Sequence, residues 1–314
     1  TDSPLGIRVN VPNARYWHTS PEMTAEFRIN SMGIRSDREY TFEKPSGRLR
    51  IIGLGDSFTQ GYEVNVEDTY LYRLEEMLKE LGYSVEVINL GVSGYGNAEE
   101  LIMLKEFGFR FDPDVVILGY FQNDLEDNVR SNLYRLAEND RLVRASETYL
   151  PAIGIRNRLY SFGLYRWLSA NSHLFALVRE RMAAIVKRRI VRENMAVVAG
   201  QEHDSQDTGA DYGERLAARL LDEIKSECDQ RGIKFVLLDI PGFRLRDSNL
   251  PVDLLTKVPA EDIIRPLDEF RAHAPQTDLY RQHGHFHWTP MGHEIAADAI
   301  AAKVRALSLN QTGP

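Results

Sequence analysis

The stretch Arg50-Ile51-Ile52-Gly53-Leu54-Gly55, which runs directly into Asp56-Ser57-Phe58-Thr59, decides the fold class of this chain. A short apolar run that ends in a glycine turn is typical of a strand buried on both faces. Similar runs follow at residues 85–90 (VEVINL), 114–119 (DVVILG) and 234–240 (KFVLLDI). Strands of this kind occur in parallel sheets that helices cover on both sides, so the sequence predicts an α/β fold with a central parallel sheet.

Helical patterns alternate with these strands. Between residues 69 and 81, four leucines and Met77 recur at three- and four-residue spacing before Gly82, which predicts an amphipathic helix. Further helices are predicted over residues 98–107, 212–231 and 290–307. The alternation therefore supports one α/β domain over residues 49–308.

Two segments lie outside this alternation. Residues 1–48 are polar and broken by prolines and glycines, and we expect an irregular N-terminal extension there. Residues 128–211 are too many for a simple crossover. We interpret them as a mainly helical insertion, or lid, over the carboxyl edge of the sheet, where α/β sites form. A polar stretch at its end, residues 200–213, is expected to be a mobile loop.

The charge and composition of the chain limit the classes of partner that it could bind. The net charge of −8 does not suit general nucleic-acid binding, which needs a basic face. No apolar run approaches about 18 residues, so a transmembrane segment is not expected. The single cysteine, Cys228, rules out an intrachain disulfide. The chain opens at Thr1, so a leader or anchor could have been removed, and the sequence is compatible with the cytoplasm or the periplasm. The sequence does not specify the oligomeric state.

Ser57 stands where α/β sites form, at the carboxyl end of a strand and just before a helix. A turn in which Ser57 caps the helix would explain the Gly-Asp-Ser motif equally well. The motif is not the nucleophile elbow of α/β-hydrolases, because position 59 is a threonine, and it lacks the glycines and lysine of a phosphate loop.

Three further segments favour chemistry at Ser57. Residues 89–94 (NLGVSG) and 119–124 (GYFQND) each follow a predicted strand, and residues 287–293 (HWTPMGH) precede the last helix. Together they supply what acyl transfer needs. Ser57 can attack and His287 can take its proton, while the Gly94 N–H and the Asn123 amide can hold a developing oxyanion.

These four segments resemble, in order, the conserved blocks of the SGNH (GDSL-type) hydrolases. The resemblance implies a flavodoxin-like, three-layer α/β/α fold and a cofactor-independent serine esterase. It implies that Ser57 is the nucleophile and, through its own N–H, an oxyanion donor. Gly94 and Asn123 would be the other donors, and His287 the base. It covers residues 48–128 and 212–308. The N-terminal run Asn30–Arg35 resembles a segment found in a bacterial subgroup of the family that is associated with cell-surface polysaccharides. This resemblance is weaker than that of the four blocks.

One departure from the family concerns the acid of the triad. The family places an Asp two or three residues before the histidine, where this chain has Gly284 and His285. We expect a Ser–His dyad in which a backbone carbonyl accepts from Nδ1 of His287. A displaced acid such as Asp278, or an impaired site, are the alternatives.

Other functions compete with the esterase. His283, His285 and His287 alternate and, with His293, could bind a metal, although no Cys, Asp or Glu completes a ligand set and we expect no metal. A non-catalytic binding module would retain the fold. Residues 179–193 could form a basic amphipathic helix that touches a membrane or polyanion, or one that packs on the body.

Aromatic residues of the insertion could form a platform for a sugar or acyl chain, or simply core: Tyr149, Tyr160, Phe162, Tyr165 and Trp167. Asp124 and Asp127 could bind substrate or cap a helix. The sequence thus predicts an esterase or O-acyl hydrolase that acts on a small ester-linked acyl group of a carbohydrate or other small metabolite. An O-acyltransferase of the same fold is the alternative.

Overall fold

The computed structural model describes residues 3–150, 158–159, 161–201, 209–248, 250–251, 258–273, 275, 278–283 and 286–309. The strands in chain order are β1 (Arg15–Thr19), β2 (Thr24–Arg28), β3 (Leu49–Gly55), β4 (Val85–Asn89), β5 (Val115–Tyr120), β6 (Tyr134–Leu136), β7 (Leu142–Arg144), β8 (Lys234–Asp239) and β9 (Ile263–Ile264). The helices are α1 (Ser57–Gln60), α2 (Tyr70–Glu80), α3 (Asn97–Glu106), α4 (Asp124–Ser131), α5 (Gly163–Asn171), α6 (His173–Gln201), α7 (Gly209–Asp229), α8 (Leu267–Ala272) and α9 (Pro290–Leu309).

A five-stranded parallel sheet forms the centre, in the order β4-β3-β5-β8-β9. Numbered along the chain, these strands run 2-1-3-4-5, which is the flavodoxin-like order. The strand order reverses between β3 and β5, and ligands of such sheets bind at the carboxyl ends of strands at this switch point. The predicted α/β fold with a central parallel sheet is confirmed.

Helices cover both faces of the sheet because side chains alternate along each strand. Ile52 and Leu54 of β3 face one core with α3 and α7, whereas Ile51 faces the other core with α2 and α9. Every strand and helix predicted for the sheet and its covering layers is present, within three residues at each end.

The N-terminal extension is more regular than expected. β1 and β2 pair as an antiparallel hairpin, with Arg15 opposite Arg28 and Thr19 opposite Thr24. Ala25 and Phe27 on one face of β2, together with Ile29 just after the strand, form a small buried core. The expectation of an irregular segment was wrong because its prolines and glycines lie mainly outside these two five-residue strands.

The insertion is helical for most of its described length, through α5, α6 and the start of α7, and also contains the β6–β7 antiparallel pair. α6 packs on α4, where the Asn194 amide donates to the backbone oxygens of Val129 and Arg130 at 3.0 and 3.1 Å. The loop predicted over residues 200–213 is shorter than expected, since α6 extends to Gln201 and α7 begins at Gly209, and residues 202–208 lie outside the described ones. No helix in the described ranges is long and apolar enough to cross a bilayer.

Candidate active site

Ser57 is the first residue of α1, directly after β3. The capping role that the sequence allowed for Ser57 belongs instead to Asp56, whose carboxylate accepts the Phe58 N–H at 2.8 Å. Gly55 has a φ of +151°, and a side chain there would collide with Thr59 and with the Gly119 carbonyl. The glycine therefore permits the close turn that presents the half-buried Ser57 hydroxyl at the switch point.

His287 meets this hydroxyl. Its Nε2 lies 2.8 Å from Ser57 Oγ, although 230 positions separate the two residues. The histidine is 6% exposed and precedes Trp288, a fully buried residue whose backbone bridges to Tyr280. A buried imidazole at this distance can take the proton of the serine hydroxyl as the hydroxyl attacks.

The second nitrogen of His287 has a partner that the sequence analysis missed. Nδ1 lies 2.9 Å from Oε2 of Glu63, a carboxylate whose side chain is fully buried. The expectation of a backbone carbonyl was wrong. The alternative of a displaced acid fits the structure, with Glu63 rather than Asp278 in that position. Because a carboxylate only accepts hydrogen bonds, Nδ1 carries the hydrogen and Nε2 is left as the base. Ser57, His287 and Glu63 thus have the geometry of a catalytic triad.

The loop that carries Glu63 is attached at both ends. Gly61 ends α1 in the left-handed conformation, with φ +76°, and the Tyr62 N–H donates to the Ser57 carbonyl at 2.9 Å. The buried Arg35 guanidinium binds the other side through backbone oxygens: Nη1 donates to those of Gln60 (2.8 Å) and Gly61, and Nη2 to that of Val64 (2.7 Å).

Arg35 is itself buried. Its Cζ lies 3.7 Å from the centroid of the Phe27 ring, and burial lowers the pKa of its guanidinium to about 10. The group stays charged at neutral pH, so a buried cation from the N-terminal extension holds the backbone on either side of Glu63. No local sequence signal gave this contact. The one available cue to the acid was a carboxyl residue six positions after Ser57 in a short loop at the same edge of the sheet.

Two backbone N–H groups are the oxyanion donors that the sequence predicted, and the segment of the second lies at the same edge of the sheet as Ser57, since the Val92 N–H donates to the Gly55 carbonyl at 3.1 Å. Those of Ser57 and Gly94 donate no hydrogen bond to any residue within the described ranges. Gly94 has a φ of +77°, and a Cβ there would lie 2.7 Å from Nη2 of Arg8, so this turn needs a glycine. Its carbonyl accepts from Arg130 at 2.8 Å, which holds the peptide in place.

The Asn123 side chain lies next to the same centre. Its Nδ2 donates to Oδ2 of Asp56 at 3.0 Å and to Oδ2 of Asp127 at 3.2 Å. Asp56 Oδ2 is also 3.4 Å from Ser57 Oγ, so the amide and the hydroxyl share a neighbour. To serve an oxyanion, the amide has to give up one acceptor, and the longer contact to Asp127 is the weaker of the two.

A group of buried carboxyls lies beneath these residues. Burial raises the pKa of Glu99 to about 7 and that of Glu100 to about 8, and it raises the pKa values of Asp56 and Asp124 as well. Asn97 joins two of them, since its Nδ2 lies 3.0 Å from Glu100 and 3.3 Å from Asp124. Asp124 also accepts the Phe121 N–H at 3.1 Å, so its role is to hold the turn after β5.

Aromatic rings surround His287. The centroids of Phe58 and Tyr62 lie 5.0 and 5.2 Å from that of the imidazole. His18 of β1 lies 4.1 Å beyond Tyr62. Burial, and next the charge of Arg179, lower the pKa of His18 to about 3, so this second imidazole is neutral at the pH at which His287 would work.

The other sequence-derived site residues are not brought together in the described part of the chain. His283 is exposed, His285 and Tyr160 lie outside the described residues, and His293 is buried beside Tyr70, with Nδ1 3.3 Å from the Tyr70 N–H. No group of three His, Cys, Asp or Glu side chains among the described residues could hold a metal ion. Both nitrogens of His287 already have partners, so the metal hypothesis loses its central ligand.

Among the aromatic residues of the insertion, Phe162 and Trp167 are exposed rather than core, at 59% and 60%. Tyr165 packs edge to face on Phe175, with 5.4 Å between their centroids, and Tyr149 is half-buried near Arg130. These four side chains therefore do not form one platform at Ser57.

Three solved structures are among those similar to this chain. "Crystal Structure of TesA" matches at a TM-score of 0.47 and 12% identity, covering 82% of this chain and 99% of that one. An acetyl xylan esterase, AlAXEase, matches at 0.46 and 15%, covering 82% and 100%. The psychrotrophic esterase EstA from Pseudoalteromonas sp. matches at 0.46 and 12%, covering 83% and 98%. No curated protein sequence matches.

The sequence itself matches the family model described as "GDSL-like Lipase/Acylhydrolase family" over residues 54–295, which is more than half of the chain. The match begins within β3, just before Ser57, and extends into α9, beyond His287. The chain therefore belongs to the GDSL-like lipase/acylhydrolase family and is a serine ester hydrolase.

Proposed function

We propose that this protein cleaves a small ester-linked acyl group through an acyl-enzyme formed on Ser57. The observation that carries the proposal is the continuous chain of contacts from the Ser57 hydroxyl to His287 (2.8 Å) and from His287 to Glu63 (2.9 Å). A nucleophile, a base and an acid that orients the base are the three groups that this chemistry requires.

The steps follow from the positions of the groups. Ser57 Oγ attacks the ester carbonyl carbon while its proton passes to Nε2 of His287. The carbonyl oxygen becomes an oxyanion, which the N–H groups of Ser57 and Gly94 receive, together with the Asn123 amide once it releases Asp127. The imidazolium, steadied by Glu63, then protonates the leaving alcohol. A water molecule, deprotonated by His287, then attacks the acyl-enzyme in the same way. This step releases the carboxylic acid and restores the Ser57 hydroxyl.

A short acyl group is proposed because aromatic rings crowd the base. Phe58 and Tyr62 both lie within about 5 Å of the His287 imidazole, between centroids, and Phe58 also contacts Phe121 at 4.5 Å. Phe58 is buried, so the half-buried Tyr62 ring is the one proposed to limit the space beside the nucleophile. The alcohol is proposed to be a carbohydrate or another small metabolite, and residues 128–211 are proposed to form a lid that selects it.

The experiment is a panel of esters with acyl chains of increasing length, including acetylated sugars, assayed with wild type and Ser57→Ala. We expect turnover of short esters that disappears in the variant. A preference for long chains would overturn the small-acyl proposal, and turnover retained by Ser57→Ala would overturn the role of Ser57. Adding an acceptor alcohol and looking for a new ester separates hydrolysis from transfer.

A further inference from the structure

One surface of this chain is unusually apolar for a protein surface. Large apolar side chains more than half exposed are concentrated on α5 and α6: Leu164, Trp167, Leu174, Val178, Met182, Ile185 and Val186, at 53–72%. We call these seven residues the α5–α6 patch. Scattered exposed apolar residues are normal, but a contiguous group of this kind marks an interaction site.

The members of the patch that belong to α6 lie on the side of this helix that faces away from the body. At 100° per residue, Leu174, Val178, Met182 and Ile185 fall within about 80° of the helix circumference. Ala176 and Asn194 lie on the opposite side, where Ala176 is fully buried and Asn194 binds the end of α4. The helix therefore contacts the body through its Ala176 and Asn194 side and leaves its apolar stripe exposed. The alternative in which residues 179–193 pack their apolar face on the body was wrong, since Met182, Ile185 and Val186 are exposed.

The charge around the patch is opposite to that of the rest of the molecule. Residues 163–201, which span α5 and α6, contain seven Arg or Lys and two Glu. The whole chain carries −8, so this segment carries +5 and the remainder −13. Arg181 and Arg188 flank the apolar stripe, and Arg189 continues its line with a side chain 81% exposed. Apolar side chains bordered by arginines are typical of a helix that lies in the plane of a membrane surface.

We infer that the α5–α6 patch binds the surface of an anionic lipid bilayer. A second copy of the chain would bring two segments of +5 face to face, which opposes self-association through this patch. A polyanion without apolar groups would meet the arginines but leave the stripe in water. An anionic bilayer accepts both, because its headgroups meet the arginines and its acyl boundary takes up the apolar side chains.

The patch is joined to the wall of the candidate site. Ala170 of α5 accepts the Thr19 hydroxyl at 2.7 Å, and His173 Nδ1 at the start of α6 lies 2.5 Å from the Ser20 carbonyl. Thr19 and Ser20 follow His18, the ring next to Tyr62 and His287. A bilayer bound to the patch would therefore contact the two helices that hold the end of β1, and β1 carries His18 at the border of the candidate site.

The test is co-sedimentation of the full chain with phosphatidylcholine vesicles, with and without about a quarter phosphatidylglycerol. We expect binding to the anionic vesicles that weakens at high salt. Met182→Ser/Ile185→Ser and Arg188→Glu/Arg189→Glu should each weaken it about tenfold or more. Leu81→Ser removes a leucine 51% exposed on α2's C-terminal side, outside the patch, and is the matched control. Turnover of a small activated ester, whose alcohol needs no selection by residues 128–211, should be unchanged in all three variants, because the substituted side chains face solvent.

Wild-type protein that does not bind anionic vesicles overturns the inference, as does binding that the patch variants retain in full. A dimer in solution that Met182→Ser/Ile185→Ser dissociates, without vesicle binding, would assign the patch to a second copy instead. Equal binding to neutral and anionic vesicles would contradict the role of the arginines.

Discussion

The Glu63 carboxylate lies 2.9 Å from Nδ1 of His287, although 224 positions separate the two residues. The acid of the proposed triad thus comes from the loop after α1, close behind the nucleophile, rather than from the segment before the histidine. This arrangement places acid and nucleophile on one short piece of chain, Ser57–Glu63, which the base approaches from the other end of the sequence.

Glu63→Gln should lower kcat by about 10³–10⁴ with little change in KM. The amide removes the charge that steadies the imidazolium and allows the wrong tautomer of His287. Steady-state kinetics on an activated ester measures the loss. Asp278→Asn is the matched control and should lose less than about tenfold. A large loss of kcat in Asp278→Asn together with a less than tenfold loss in Glu63→Gln would show that Glu63 is not the acid that orients His287.

Arg35→Met should lower kcat about tenfold to a hundredfold, because backbone oxygens on both sides of Glu63 lose their donor and small displacements of catalytic groups are costly. KM should change little, because the hydrogen bonds of Arg35 hold the backbone around Glu63. Arg35→Lys should recover part of the rate, since an ammonium replaces only some of the donors.

The control for this pair is Arg38→Met, which removes a neighbouring arginine whose partners are Glu75 and Glu76 on α2. Its kcat and KM should match those of wild type. An unchanged kcat in Arg35→Met, or a loss of rate that Arg35→Lys does not recover at all, would make Arg35 a purely structural residue.

The sheet and its helices could be predicted because their signals are local. The apolar runs of β3, β5 and β8 and the leucine spacing of α2 each specify one element, and the parallel arrangement follows from burial on both faces. The positions of Ser57 and His287 followed from the elements that end or begin beside them. Their 2.8 Å contact was implied by family resemblance and then found in the structure.

Glu63 could not be predicted in this way because tertiary contacts determine the conformation of its loop. The loop depends on Arg35, which reaches it from the N-terminal extension, and that extension was itself predicted to be irregular. Similarly, the acceptors of the Asn123 amide, Asp56 and Asp127, depend on how β3 and α4 meet. Long-range contacts of this kind leave no periodic pattern in the sequence.

Asn123→Ala should reduce kcat by about 10²–10³ with a smaller change in KM, which is the usual loss when one side-chain donor to an oxyanion is removed. Steady-state kinetics on a short ester measures both constants. Gln122→Ala, at the exposed neighbouring position, is the control. An effect confined to KM would make Asn123 a residue that binds the ground state.

The stability of the protein should fall as pH rises from about 6.5 to about 8. Below that window two buried histidines oppose the effect of the buried glutamates, because burial lowers the pKa of His18 and that of His293 from 6.5 to about 3. Burial raises the pKa of Glu99 to about 7 and that of Glu100 to about 8, from 4.5. In that window the unfolded chain has released protons that the folded chain still holds, so the free energy of unfolding decreases with pH and levels off above it.

Glu100→Gln should reduce this decrease, because the amide has no proton to release. Urea unfolding at pH 6.5 and pH 8 measures it, and Glu80→Gln, at an exposed position on α2, is the control. A pH dependence identical in Glu100→Gln and wild type would show that this carboxyl does not hold its proton in the folded state.

The most direct test of the proposed mechanism is the intact mass of the protein after treatment with a fluorophosphonate probe. A serine activated by His287 and Glu63 should take up one probe molecule, and peptide mapping should place it on Ser57. Ser57→Ala should take up none, and His287→Ala should react far more slowly. A wild-type protein that stays unlabelled, or a Ser57→Ala variant that still gains the adduct, would contradict the account.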